Sequence, residues 1–179
     1  MSDAPAPQVR PNSKAQSIRA YGLGLALFVF ILDQLTKYIV TVPLQLQERR
    51  LIEIFPIFDL NWTENRGVSM GYLTADTDLM RWVLVAFTSA IALFVAVWMW
   101  REKRRDDVIG LGLVLGGAVG NIVDRIRFGY VVDFLDLHFG DIRPFLVFNV
   151  ADAAITIGVL LLLVRALLMR DKGGSRKES

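Results

Sequence analysis

The sequence predicts an α-helical integral membrane protein with four transmembrane helices, both termini cytoplasmic, a small extracytoplasmic β element and an interfacial loop. Three observations carry that expectation. Of 179 residues, 54% are hydrophobic, with a mean hydropathy of +0.44, above an ordinary soluble core. The apolar residues gather near residues 20 to 42, 80 to 100, 108 to 126 and 149 to 169. Each stretch matches the roughly 20 residues a helix needs to cross about 30 Å of hydrocarbon. Third, Lys and Arg are unevenly divided among the connecting segments.

Residues 1–19 form the expected cytoplasmic tail, whose first 17 residues are rich in Pro, Ala, Ser and charge, a disorder-like composition. This tail carries Arg10, Lys14 and Arg19; the link after the second span carries Arg101, Lys103, Arg104 and Arg105; the C-terminal tail, 171–179, follows Arg170 and holds Lys172, Arg176 and Lys177. The two remaining connections are longer, yet hold only Arg49, Arg50, Arg66, Arg127 and Arg143. The positive-inside rule therefore puts both tails and the short link in the cytoplasm. The first span is too long, and too polar at its far end, for a cleaved signal peptide, so a permanent helix is expected.

Between these tails lies a four-helix membrane domain, 20–170, with extracytoplasmic segments at about 43–79 and 127–148. In the first segment Phe58, Leu60 and Trp62 alternate with Asp59, Asn61 and Thr63, the period of a short strand. In the second, Phe128, Tyr130, Val131, Val132, Phe134, Leu135 and Leu137 are too apolar for a freely solvated loop. That loop is expected to lie at the interface or against the β element. The third span carries Gly110, Gly112, Gly116, Gly117 and Gly120, a spacing that lets helix backbones approach closely and calls for no chemistry.

Polar residues within the spans are costly in hydrocarbon and so point to function. Asp33 and Lys37 share a helix face. Counted from Tyr21, Asp33 lies ~18 Å along an outward-running helix. Asn121, Asp124 and Arg125 lie about 20 to 26 Å along the third span, which also runs outward. Asn149 and Asp152 occupy the first, outer turn of the inward-running fourth span, and Asp133 lies in the loop between. Three helices thus bring ionisable groups to one depth. Each pair also has a purely structural reading. Asn149 and Asp152 fit a capping box, Lys37 could snorkel while Asp33 neutralises it, and Arg125 could pair with Asp124 or Asp133, with Asp124 favoured. His138 reads as an interfacial loop residue.

The absence of cysteine excludes disulfides and thiol chemistry, and no His/carboxylate spacing suits a metal, so none is expected. What remains is a surplus of carboxylates. Two aspartates held close share one proton, supplying a base for water and an acid for the scissile carbonyl or leaving amine. The helix N-terminus favours Asp152 as the charged member, although the proton belongs to the pair.

The run Leu32-Asp33-Gln34-Leu35-Thr36-Lys37 resembles the first-helix motif of bacterial lipoprotein signal peptidase, the signal peptidase II family. Gly116 to Arg125, Val131-Val132-Asp133-Phe134 and Phe148-Asn149-Val150-Ala151-Asp152 resemble its other motifs, in the same order and topology, over roughly residues 20 to 170. The resemblance implies an aspartic endopeptidase with Asp133 and Asp152 as its catalytic pair. It implies that Asn121, Asp124, Arg125 and Asn149 shape the site, and that Asp33, Lys37 and Asn65 line it or support substrate. Where the family often has Asn-Thr-Gly-Ala-Ala-Phe, this chain has Asn65-Arg66-Gly67-Val68-Ser69-Met70. The implied substrates are prolipoproteins carrying a diacylglyceryl-modified cysteine, cut just before that cysteine at the outer face of the bacterial inner membrane. No cofactor and no nucleic acid partner is expected; membrane lipids are, and the chain is expected to be a monomer. Two rivals are weighed: a Ser/Lys peptidase using Ser69 and Lys37, and a small transporter or assembly subunit. The second would need polar groups through the whole membrane depth, whereas the cytoplasmic halves of the spans are almost uncharged.

Overall fold

The computed structural model describes residues 13–67, 78–140 and 142–174. Four helices are long and apolar enough to span a membrane: α1 (Ser13–Thr41), α3 (Asp78–Arg101), α4 (Arg105–Phe128) and α5 (Val150–Gly174). The short helix α2 (Leu46–Arg49) follows α1. Strands β1 (Leu51–Phe55), β2 (Phe58–Asn65) and β3 (Val131–Leu137) form an antiparallel sheet in the order β1-β2-β3. The four spans and the strand at residues 58 to 63 thus stand as the sequence predicts. Helix α1 begins at Ser13 rather than near residue 20, taking in part of the expected tail. The remaining tail residues, and Ser69, lie outside the described residues.

The apolar 127–148 connection is where the structure goes furthest beyond the sequence reading. Its first half is β3, paired with β2 through Asn65↔Val131, Thr63↔Asp133, Leu60↔Leu135 and Asp59↔Asp136. Asp133 therefore sits on a strand, not in a loop. A bulge between Leu60 and Thr63 re-aims the strand here. Val40, Leu46, Trp62, Val132 and Phe134 form a buried cluster that seats the sheet on the end of α1.

Helix α4 is the hub, packing against α1, α3 and α5. Its glycines make this possible. A Cβ on Gly112 or Gly116 would run into the α1 backbone at Gly22 or Ala26, and one on Gly117 would lie 2.5 Å from the Ala151 carbonyl oxygen of α5. Outside this contact the helices present large apolar side chains, among them Phe28, Phe87, Leu93, Phe94 and Leu168. Such a surface suits lipid. Gly117→Ala is expected to lower stability by about 1–3 kcal/mol, because backbone rather than a flexible side chain must yield. Thermal unfolding in detergent measures this; an unchanged midpoint would mean α5 can back away freely.

Candidate active site

The polar residues of α1, α4 and α5 meet at the end of the bundle covered by the sheet. On α1, Asp33 and Lys37 are one turn apart and both buried, with Lys37 Nζ 2.8 Å from Asp33 Oδ2. The same ammonium lies 2.8 Å from Asp124 Oδ2 and donates to Asn121 Oδ1 at 3.2 Å. Lys37 is thus the cation of a buried cluster joining α1 to α4, and the snorkelling alternative does not hold. The favoured pairing of Asp124 with Arg125 is corrected likewise. Neighbouring residues on a helix point about 100° apart and do not face each other, so Asp124 turns to Lys37. It also accepts from Gln34 Nε2 at 3.0 Å and from the Val132 backbone N–H at 3.2 Å.

Arg125 donates weakly to the Asn121 carbonyl, at 3.5 Å, and its guanidinium lies in the field of Asp152, Asp133 and Asp124. Its Nε is buried without a hydrogen-bond partner. Asn121 links the helices: its side-chain oxygen receives Lys37 and Asn149, while its Nδ2 donates to Asp152 Oδ1 at 2.8 Å.

The first turn of α5 is fixed from two directions. Asp152 N–H donates to Asn149 Oδ1 at 2.9 Å and Asn149 N–H to Asp152 Oδ2 at 3.3 Å, the reciprocal capping box expected from the sequence. Asp33 Oδ1 accepts the next free donor, Ala151 N–H, at 3.0 Å. A carboxylate at this helix end also meets the positive pole of the helix dipole. Gly120 leaves the room for it, since a Cβ there would lie 2.5 Å from Asp33 Oδ2.

Asp133 projects from β3 into this cluster with 1% of its surface exposed. Asn149 Nδ2 donates to its Oδ1 at 2.6 Å and Asn65 Nδ2 to its Oδ2 at 2.9 Å. Asn65 is itself held by the Gly67 N–H on its Oδ1 at 2.9 Å. Burial first, and then the nearby Asp152 charge, push the Asp133 carboxyl up to about 7, against the opposing pull of its two asparagine donors and Lys37. All nine residues singled out in the sequence therefore belong to one assembly. Asp133 and Asp152 sit on either side of Asn149, which bonds to both.

Asp152 is only partly buried. It lines an apolar groove of about 280 Å³ together with Phe145, Leu146, Phe148, Thr156 and Ile157. Sequence reasoning gave no role to Gln34, although its position between Asp33 and Lys37 in a span was the available signal. Arg81 was missed altogether. From α3 it donates through Nε to the Arg125 carbonyl at 2.8 Å and through Nη2 to that of Ile126, closing the C-terminal end of α4. Among the described residues no three His, Asp or Glu side chains are grouped so as to hold a metal ion.

This arrangement has relatives. The model of the family described as signal peptidase (SPase) II matches residues 25–168. A lipoprotein signal peptidase of Rhizorhabdus wittichii is 61% identical over 153 residues, covering 86% of this chain and 89% of its own. One from Sphingopyxis alaskensis is 59% identical, with the same coverage. A bacterial membrane enzyme solved by the in meso method at 2.3 Å superposes with a TM-score of 0.72 at 26% identity, covering 89% of this chain and 94% of its own. The family match takes in every residue of the polar cluster, from Asp33 on α1 to Asp152 on α5, and on that ground the chain belongs to the signal peptidase II family.

Proposed function

We propose that this protein is an aspartic endopeptidase of the bacterial inner membrane that removes the signal peptide from diacylglyceryl-modified prolipoproteins, cutting before the lipidated cysteine. The observation that carries the reading is Asp133. It is a buried carboxyl held near neutral pKa, with a second, more exposed aspartate one asparagine away. Asp133, pushed up to about 7, is the member that keeps its proton as pH approaches neutrality. Asp152 takes a proton from water as the water oxygen bonds to the scissile carbonyl carbon, and Asp133 gives its proton to the carbonyl oxygen. Collapse of the tetrahedral species breaks the C–N bond, the proton gained by Asp152 goes to the leaving amine, and one hydroxyl proton of the new carboxyl group returns to Asp133, restoring the pair. Asn65, Asn121 and Asn149 hold the two carboxyls in place; Lys37, Asp33, Asp124 and Arg125 hold the helices that present them.

The Ser/Lys alternative gains no support from Lys37, which is engaged by two carboxylates and an amide oxygen. The transporter alternative is likewise disfavoured, because the buried polar cluster lies at one end of the bundle.

Purified protein in lipid should cut a diacylglyceryl-modified precursor before the cysteine, with EDTA present, and spare the unmodified precursor. The rate should fall as pH rises through about 7, where Asp133 loses the shared proton. The same shift has a stability sign. The folded chain keeps a proton that the unfolded chain releases near 3.8, so this group's contribution declines as pH climbs from there to about 7. Equal cleavage of both precursors would sink the substrate assignment, and a rate flat from pH 6 to 9 the shared-proton mechanism.

Orientation is tested separately. The sequence has no cysteine, so single cysteines can be placed at Glu53 on the sheet and Lys103 in the link between α3 and α4, both exposed. In cells with only the outer membrane permeabilised, an impermeant thiol reagent should label position 53 and spare 103. The reverse pattern would put the aspartate pair on the wrong face for an inserted signal peptide.

A further inference from the structure

On β3, Asp133 and Asp136 are three residues apart and so face opposite sides of the sheet. Asp136 lies directly across from Asp59 of β2. Two carboxylates opposed in this way repel each other, and Asp136 is completely buried. Each is answered from the connection that follows β3. His138 Nε2 lies 2.9 Å from Asp59 Oδ2, close but not aligned for a hydrogen bond. Arg143 Nε lies 3.2 Å from Asp136 Oδ2, which also accepts Asn61 Nδ2 at 3.0 Å, while Asp136 Oδ1 has no hydrogen-bond partner.

Main-chain bonds tie the two ends of the same connection. His138 N–H donates to the Ile57 carbonyl at 3.0 Å, and Phe148 and Leu135 exchange bonds of 3.0 and 2.8 Å. Between these ties Phe145 and Leu146 are largely exposed, yet both line the groove that Asp152 also lines. Between the main-chain ties, the side-chain contact of this connection with the sheet is the pair of the Asp136 carboxylate and the Arg143 guanidinium.

We propose that Asp136 and Arg143 are positioning residues for substrate: their ion pair clasps the β3–α5 connection to the back of the sheet and so sets the apolar wall beside Asp152. The clasp rests on the peptidase reading only for what the groove receives, an apolar group of the precursor next to the scissile bond. It acts on binding, not on proton transfer.

The test uses full-length protein in lipid, with the diacylglyceryl-modified precursor as probe and amide hydrogen exchange as a second readout. Arg143→Gln should raise KM about five- to tenfold, with kcat within about twofold, as expected for loss of a charge-assisted contact that acts through binding. Arg143→Lys should recover most of the loss. Exchange should quicken in the stretch around Phe145 and Leu146 and stay unchanged in α4. The double variant Asp136→Asn, Arg143→Gln should be no worse in KM than Arg143→Gln, because the two residues act as one contact. An unchanged KM, a fall in kcat alone, or additive effects in the double variant would overturn the clasp. If the unsubstituted protein fails to cut the precursor, the peptidase reading falls by itself. The exchange experiment then decides on the clasp, and unaltered exchange in Arg143→Gln would overturn it.

Discussion

Asp133→Asn and Asp152→Asn are each expected to abolish cleavage, lowering kcat by on the order of 10³-fold or more, while the protein still inserts and folds. Asparagine copies the shape of aspartate but can neither share a proton with its partner nor take one from water. At position 152 the amide oxygen can still accept the Asn149 N–H, so the first turn of α5 stays capped, while Asn121 Nδ2 must turn away from the new amide nitrogen. At position 133 one of the two donors, Asn65 or Asn149, must turn away from the new amide nitrogen. That costs about one hydrogen bond, about 1 kcal/mol, which a folded membrane protein tolerates. Turnover of the lipid-modified precursor by purified, monodisperse variants is the measurement. Substantial product from either one removes the pair from the mechanism.

Lys37→Met is expected to have the largest effect on stability. The substitution keeps the length of the side chain and deletes the ammonium that Asp33 and Asp124 each face at 2.8 Å. Two carboxylates would then remain buried at 0% and 1% exposure without their cation. Breaking a buried pair from one side costs about 3–5 kcal/mol, and here one side serves two partners. Asp124→Asn should be milder, about 1–2 kcal/mol, since an amide oxygen can still accept from Gln34 or Val132 and Lys37 keeps Asp33. Thermal unfolding in detergent ranks the two. A Lys37 variant as stable as the parent would mean that the cluster is held by its amides alone.

The part of this architecture that sequence reveals is the part with a period or a length. Four apolar runs are long enough for nothing but spans, and Phe58, Leu60 and Trp62 alternate as a half-buried strand must. Strand β3 escaped because Val131, Val132, Asp133 and Phe134 are all buried. A strand covered on both faces has no alternation to detect. Strand β1 escaped for the opposite reason, being exposed over most of its length at the sheet edge, and a four-residue helix such as α2 has no period at all. In the candidate site, the depth argument brought these polar residues to one end of the bundle, where the structure gathers them. It could not say which partner each would choose: Asp124 turned from its neighbour Arg125 to Lys37, far away in sequence, and Gln34 and Arg81 joined contacts that no spacing announces.

The cap on α5 has a consequence for how the protein is made. Asn149 and Asp152 reach the membrane last, on the final span, and the donor that Asp33 satisfies belongs to that span too. While the first three spans wait, Lys37, Asp33, Asp124 and Asn121 can already gather between α1 and α4. The arriving helix brings its positive N-terminal pole, and its free Ala151 N–H, to the Asp33 carboxyl. On the proposed mechanism, the docking of α5 and the completion of the aspartate pair are therefore one event, since Asn149 and Asp152 arrive on that helix.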